Sequence, residues 1–182
     1  MIKLLFRFRV IVWLIAGTAL LNGCSKEEPQ VTGLPAAVRL NVPYGSEPLQ
    51  NMDVYLPANR TATNTKVLIL IHGGAWASGD KADFASFIDT LKKRLPGYAV
   101  FNINYRLSAP PQNPFPTQEL DVKKAVEFIY NNRADYAVSD NFSMGGASAG
   151  AHLSLLHAYK YESPVKIRTV IDFFGPTDMN DL

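Results

Sequence analysis

The sequence is poor in the residues that hold metals and form cross-links. Cys24 is its single cysteine, so no disulfide can form within the chain. Its three histidines, His72, His152 and His157, match no metal-binding or cofactor motif, and we expect the chemistry to need neither a metal nor a cofactor. Basic residues exceed acidic ones by only two. This balance gives no basic patch, so nucleic acid is not an expected partner.

An apolar run long enough to cross a bilayer comfortably is also missing. Residues 1–9 carry three basic side chains, and residues 10–21 are apolar except for a glycine and a threonine. A charged stretch before a short apolar one is the pattern of an export signal. It ends in Leu21-Asn22-Gly23-Cys24, which resembles a bacterial lipobox. We therefore predict a lipoprotein signal peptide over residues 1–23 and lipid attachment at Cys24; the alternative is an uncleaved anchor with an unmodified cysteine.

Residues 24–36 are predicted to be a tether. Ser25-Lys26-Glu27-Glu28 resembles a surface-export tag that follows the lipidated cysteine in some Gram-negative bacteria, but it also fits a plain solvated spacer. Two prolines and a glycine in residues 29–36 indicate a linker. The expected location is the bacterial cell envelope, held to the membrane by the lipid, and the outer-membrane surface if the tag interpretation holds.

Strand and helix patterns alternate from residue 37 to residue 182, the predicted folded domain. The order is β-β-β-α-β-α-β-α-β, which indicates an α/β layered sheet with right-handed crossovers. The first two strands alternate apolar and polar residues and are expected to be antiparallel, whereas residues 67–71 form a run of branched aliphatics typical of a strand covered on both faces. Strands are predicted over 38–42, 52–56, 67–71, 98–105, 142–147 and 169–174, and helices over 80–95, 117–131 and 149–159.

Ser148 is the first candidate for chemistry. It is the centre of Gly146-Ala147-Ser148-Ala149-Gly150, a G-x-S-x-G between a predicted strand and a predicted helix. A sharp turn there would lift the hydroxyl above the strand ends, where a base could activate it as a nucleophile. The glycines also have phosphate-loop spacing, but Ala151-His152 follow where that loop requires Lys and Ser or Thr, so we reject nucleotide binding.

A second motif, His72-Gly73-Gly74-Ala75-Trp76, follows the buried strand at 67–71. Glycines at the carboxyl end of a strand let main-chain N–H groups face a cleft, where they can stabilise an oxyanion. A tight turn without chemistry is the alternative. Two glycine-rich turns after separate parallel strands favour the catalytic interpretation.

Together the two motifs resemble the α/β-hydrolase fold, nearest to esterases and lipases with an H-G-G-G-W motif and similar to bacterial carbohydrate esterases. Further matches are Gly79-Asp80-Lys81, Asn104-Tyr105-Arg106-Leu107 and the segment 174–178. The resemblance implies that Ser148 is the nucleophile and that the N–H groups of Gly73, Gly74 and Ala149 form the oxyanion hole. Ala75 stands where the family has a third glycine.

The family's triad acid and histidine follow two later strands that this sequence lacks, so we expect the domain to be incomplete and inactive as the isolated fragment. The three histidines are poor substitutes: His72 is expected to be structural, and His152 and His157 fall on a helix running away from the serine. Asp178 is expected to cap a loop, although some hydrolases place an acid there. Asp121 and Glu127 are expected on the solvated face of the second helix.

The function that the resemblance implies is hydrolysis of short acyl or carbohydrate-linked esters through an acyl-enzyme. A serine peptidase of the same fold is the closest rival. The other alternative is a non-catalytic surface lipoprotein with a binding role, which would leave the edge of the last strand, at 169–174, unpaired.

Overall fold

The computed structural model describes residues 33–179. The predicted signal peptide, Cys24 and most of the predicted tether lie outside the described residues. The strands are β1 Ala37–Pro43, β2 Asn51–Leu56, β3 Lys66–Ile71, β4 Tyr98–Ile103, β5 Phe142–Ala147 and β6 Ile167–Phe173. The helices are α1 Ala85–Arg94, α2 Thr117–Asn131, α3 Arg133–Tyr136 and α4 Ala149–Lys160. In this part of the chain, no helix has both the length and the hydropathy needed to cross a bilayer.

The six strands form one sheet in the order β1-β2-β4-β3-β5-β6. Both pairings of β2, with β1 and with β4, are antiparallel. The pairings of β3 with β4 and β5, and of β5 with β6, are parallel. The predicted fold class, a mostly parallel α/β sheet with antiparallel N-terminal strands, is confirmed. Within the described residues β6 is an edge strand.

The central strand β3 is covered on both faces, which explains its unbroken run of aliphatic residues. Val67, Ile69 and Ile71 belong to the larger core, which includes apolar side chains of α2 and α4. The alternate residues Leu68 and Leu70 pack into a smaller core with Ile88 of α1. Because successive side chains of a strand point to opposite faces, a strand between two helical layers must be apolar throughout.

Two helical segments differ from the sequence prediction. The helix expected over 80–95 begins as a 3-10 turn at Lys81–Phe84, where the Asp80 carboxylate accepts a hydrogen bond from the N–H of Ala82 at 2.8 Å. The short helix α3 was not predicted. It is one turn long and ends at Ala137 in the left-handed conformation, with φ 52°, so it gives no periodic signal that sequence analysis could detect.

The expectation that Asp121 lies on the solvated face of α2 is wrong. Its side chain is 1% exposed and forms an ion pair with Arg106, with 2.6 Å between Arg106 Nη2 and Asp121 Oδ1. The amide of Gln50 donates to the same oxygen at 2.6 Å. Since a buried carboxylate is tolerated only with such partners, Asp121 ties α2 to the segment after β4. Glu127, in contrast, is at the surface beside Lys123.

Candidate active site

Ser148 occupies a strained turn between β5 and α4. Its backbone has φ 52° and ψ −119°, a conformation that costs a non-glycine residue about 1–3 kcal/mol. Two hydrogen bonds hold it: the N–H of Ser148 donates to the carbonyl of Phe173 at 2.9 Å, and its own carbonyl accepts from the N–H of His152 at 3.1 Å. The turn therefore has the sharp strand-to-helix geometry expected of a nucleophile elbow.

The glycines on either side of Ser148 are required by close packing. A Cβ on Gly150 would overlap the carbonyl oxygens of Ile71 and His72, at the end of β3. A Cβ on Gly146 would overlap the backbone of Gly150. The start of α4 therefore lies directly against the backbone of the neighbouring strand, which is possible only without side chains at these two positions.

The second glycine-rich motif lies beside Ser148. Strands β3 and β5 are neighbours, with Ile71 opposite Gly146, so the turns that follow them emerge side by side. A Cβ built on Gly73 would lie 3.4 Å from the Ser148 Cβ and 2.8 Å from the carbonyl oxygen of Ala147. The structure thus brings together Ser148 and Gly73, which are 75 residues apart in the sequence.

The carbonyl groups of residues 72–74 all accept hydrogen bonds. The His72 and Gly73 carbonyls share the single hydroxyl proton of Tyr105, with the Tyr105 oxygen 3.2 and 3.3 Å from them. His72 Nδ1 lies 2.7 Å from the Gly73 carbonyl, and the Gly74 carbonyl accepts from the N–H groups of Ala77 and Ser78. In a trans peptide the N–H points opposite to the preceding carbonyl. The N–H groups of Gly73 and Gly74 therefore point away from these partners.

Three backbone N–H groups of the two turns lack a partner within residues 33–179. Within residues 33–179, the backbone N–H groups of Gly73 and Gly74 donate no hydrogen bond to a protein acceptor. Ala149 is the first residue of α4, and the first N–H groups of a helix have no partner inside it. Ala75 has φ 49° where the family motif has glycine, a conformation that costs about 1–2 kcal/mol but keeps the loop's left-handed path.

His72 is structural, as expected from its position. It is 1% exposed and stacks on Tyr105 with 4.3 Å between ring centroids and 9° between planes. Burial lowers its pKa, so the ring is neutral at pH 7. Because Nδ1 donates to the Gly73 carbonyl, the neutral ring carries its proton on Nδ1.

Within residues 33–179, the side chains of the α4 histidines do not bind the Ser148 hydroxyl. His152 packs edge-on against Trp76, with 5.2 Å between ring centroids, and burial lowers its pKa. His157 is 1% exposed and lies near Tyr161. In the described part of the chain, neither ring forms a hydrogen bond with the Ser148 hydroxyl. Asp178 lies on the exposed segment after β6.

A cavity of about 540 Å³ lies next to the glycine-rich loop. Its walls come from the residues after Gly74, from the proline-rich segment after β4 and from one face of α4. The lining is mostly apolar and includes Trp76, Phe115, His152 and Leu156. A volume of this size is typical of small-molecule sites. Across residues 33–179, no group of three or more His, Cys, Asp or Glu side chains could hold a metal ion.

The contacts made by the motifs at 79–81 and 104–107 were not predicted from the sequence. Asn104 accepts a hydrogen bond from the N–H of Lys81 at 2.6 Å and donates to Asp80 at 2.8 Å. Tyr105 holds the glycine-rich loop, and Gly79 lies so close to His72 that a Cβ would be 2.6 Å from Nδ1. The motifs at 79–81 and 104–107 are visible in the sequence, but the contacts between them form only when the chain folds.

Known proteins share this sequence pattern and fold. The BD-FAE family model matches residues 52–182. The chain belongs to the BD-FAE family. Esterase LipC of Mycobacterium tuberculosis is 30% identical over 155 residues, covering 79% of this chain and 38% of LipC. The BD-FAE chain therefore spans less than two fifths of the length of this curated relative.

Solved structures agree on the fold of this BD-FAE chain. A bifunctional GH43-CE protein of Bacteroides eggerthii superposes with a TM-score of 0.66 and 29% identity, over 79% of this chain and 23% of that one. A truncated carbohydrate esterase from gut microbiota gives 0.66 and 27%, over 79% and 58%. The predicted relationship to α/β-hydrolase esterases is confirmed. The roles of Ser148, Gly73, Gly74 and Ala149 stay predictions.

The close packing where α4 begins predicts that one added methyl group strongly lowers the stability of the protein. Gly150→Ala should destabilise the protein by about 3 kcal/mol or more, because the new Cβ must displace the backbone of β3. Gly97→Ala is the matched control, since nothing lies within 4 Å of its Cβ position. Urea denaturation measures both. Equal midpoints for the two variants would contradict the close approach of α4 to β3.

Burial of His157 predicts a loss of stability in acid. Desolvation lowers its pKa to about 4, with Lys123 adding to the effect and Glu127 opposing it. The unfolded chain, with a pKa near 6.5, then binds the proton more readily than the folded one. Stability should fall by up to about 3 kcal/mol as pH drops from 6.5 to 4.

The replacement His157→Leu isolates this contribution. The variant should lose less stability than the wild type between pH 7 and pH 4.5, because leucine cannot take up a proton. Urea denaturation at the two pH values gives the comparison. An identical acid-induced loss in both proteins would show that His157 is not the source.

Proposed function

We propose that this chain carries the nucleophile and oxyanion donors of a serine hydrolase that acts on carboxylic esters. The observation that carries the proposal is the closeness of Gly73 to Ser148, together with the N–H groups of Gly73, Gly74 and Ala149, which have no partner within residues 33–179. An ester hydrolase needs both parts within one site, because the nucleophile creates the negative charge that the donors must stabilise. Similarity to LipC and to carbohydrate esterases supports the same chemistry.

The reaction would proceed in two halves. The Ser148 Oγ attacks the ester carbonyl carbon while a general base takes its proton, and the carbonyl oxygen becomes an oxyanion. The C–O bond to the alcohol then breaks, the alcohol leaves with that proton, and the acyl group stays on Ser148. Water attacks the acyl-enzyme in the same way, releasing the acid and restoring the hydroxyl.

Hydrogen bonds from the loop would lower the barrier of both halves. Each N–H aimed at the oxyanion is worth about 3–4 kcal/mol where such donors have been removed from other enzymes. The strain at Ser148 serves the same end, because a fixed turn holds Oγ beside the donors without reorganisation during the reaction.

The general base is proposed to come from outside residues 33–179. The His72 ring stacks on Tyr105, and its Nδ1 proton is donated to the Gly73 carbonyl. His152 and His157 lie along α4, and burial lowers the pKa of each. The activity is therefore a property we assign to the whole protein rather than to the described residues alone.

The substrates we propose are short acyl esters, including esters linked to carbohydrate. Similarity to carbohydrate esterases supports the second group. The cavity beside Trp76 is large enough to receive the non-reacting part of such an ester, and its apolar lining favours a hydrophobic group.

The assignment of the nucleophile predicts that Ser148→Ala lowers kcat for p-nitrophenyl acetate by at least about 10³-fold, because no other described hydroxyl lies at the elbow. The assay uses the protein purified from the cells that produce it. Ser154→Ala is the control: this buried hydroxyl lies on the same helix and donates to Gly150, so its rate should stay within about twofold. A Ser148→Ala variant with full activity would refute the proposal.

We further propose that the protein is anchored to the cell envelope through a lipid on Cys24. Support comes from the basic and apolar segments that precede this lone cysteine. Cys24→Ser should abolish incorporation of labelled palmitate and move the protein from the membrane fraction to the soluble one. Ser25→Ala serves as the control and should remain lipidated. Unchanged membrane association of the Cys24→Ser protein would contradict the lipid anchor.

A further inference from the structure

The side chain of Tyr105 connects the sheet to the glycine-rich loop. Tyr105 is the second residue after β4 and is fully buried. Its hydroxyl lies 3.2 Å from the His72 carbonyl and 3.3 Å from the Gly73 carbonyl, and its ring stacks on the His72 ring at 4.3 Å. One side chain therefore contacts two successive peptide groups and the imidazole that binds the second of them.

These contacts set the direction of the oxyanion donors. The His72 carbonyl shares its peptide plane with the Gly73 N–H, and the Gly73 carbonyl shares its plane with the Gly74 N–H. Holding both carbonyls on the Tyr105 side turns both N–H groups away from Tyr105, and the Cβ position of Gly73 lies 3.4 Å from the Ser148 Cβ. Without this hold the Gly73–Gly74 peptide could rotate, since glycine permits most backbone conformations.

The hydroxyl is suited to this purpose. Burial raises the pKa of Tyr105 above its ordinary value, so the hydroxyl keeps its proton at neutral pH. A carbonyl has two lone-pair sites, so Gly73 can accept from the tyrosine hydroxyl and from His72 Nδ1 together. Phenylalanine would fill the same space in the core without the hydrogen bonds.

We propose that Tyr105 is a positioning residue that holds the Gly73 and Gly74 N–H groups in the orientation needed to stabilise the oxyanion. This inference rests on the proposed ester hydrolase function of Ser148. Tyr105 touches no reacting atom and acts through the loop. Its contribution should therefore affect the rate of the chemical step and leave ground-state binding of the ester almost unchanged.

The test compares Tyr105→Phe with the wild type in p-nitrophenyl acetate hydrolysis. We expect kcat to fall about 10-fold, less than the loss of a whole donor, and KM to stay within about twofold. Tyr44→Phe is the matched control. Tyr44 is also buried, and its hydroxyl also donates to a backbone carbonyl, that of Asn104 at 2.6 Å. Both variants should unfold at a slightly lower urea concentration than the wild type, because each loses one buried hydrogen bond, and only Tyr105→Phe should lose kcat.

A second readout does not depend on activity. Backbone ¹⁵N relaxation should give the Gly74 amide an order parameter near 0.85 in the wild type and a clearly lower one in Tyr105→Phe. Tyr44→Phe should match the wild type. An unchanged Gly74 order parameter in Tyr105→Phe would overturn the proposal.

The outcomes separate the two proposals. An active wild type with full kcat in Tyr105→Phe, or an equal loss of kcat in Tyr44→Phe, would overturn the positioning role and leave the esterase assignment standing. A wild type that hydrolyses no ester would remove the esterase assignment, and the relaxation data would then decide whether Tyr105 orients the loop.

Discussion

The site depends on the close contact between the first turn of α4 and the end of β3. Gly150 lies against the carbonyl oxygens of Ile71 and His72 with no room for a side chain. This contact sets the distance between two turns that leave neighbouring parallel strands. As a result Gly73 lies beside Ser148, although the interaction that holds the two turns together is between backbones and does not involve the Ser148 side chain.

Two sets of side-chain interactions lie behind this contact. Behind the loop, Tyr105 and His72 engage its carbonyls. Behind Tyr105, the ion pair between Arg106 and Asp121 ties the same segment to α2. Such buried polar groups cost free energy unless every partner is present. Their clustering behind a single loop is consistent with a requirement for precise geometry rather than for stability alone.

Much of the fold could be predicted because its signals are local. Residues 67–71 of β3 are all aliphatic, which indicates a strand buried on both faces. The bounds of α2 and β5 are those predicted. The association of Ser148 with Gly73 was also predictable, since each motif follows a parallel strand. Long-range pairing was harder: Asp121 looked like a surface residue because its partner Arg106 is 15 positions away and reaches it only after folding. The bond from Tyr105 to the loop spans 33 positions and leaves no periodic pattern.

The most direct test of the account is a crystal structure of the protein after reaction with a p-nitrophenyl phosphonate, whose tetrahedral phosphorus mimics the ester's transition state. We predict a covalent bond between the phosphorus and Ser148 Oγ. We also predict that a phosphonyl oxygen lies about 2.7–3.1 Å from the backbone nitrogens of Gly73, Gly74 and Ala149. A phosphonyl oxygen pointing away from these N–H groups, or a bond to another residue, would contradict it.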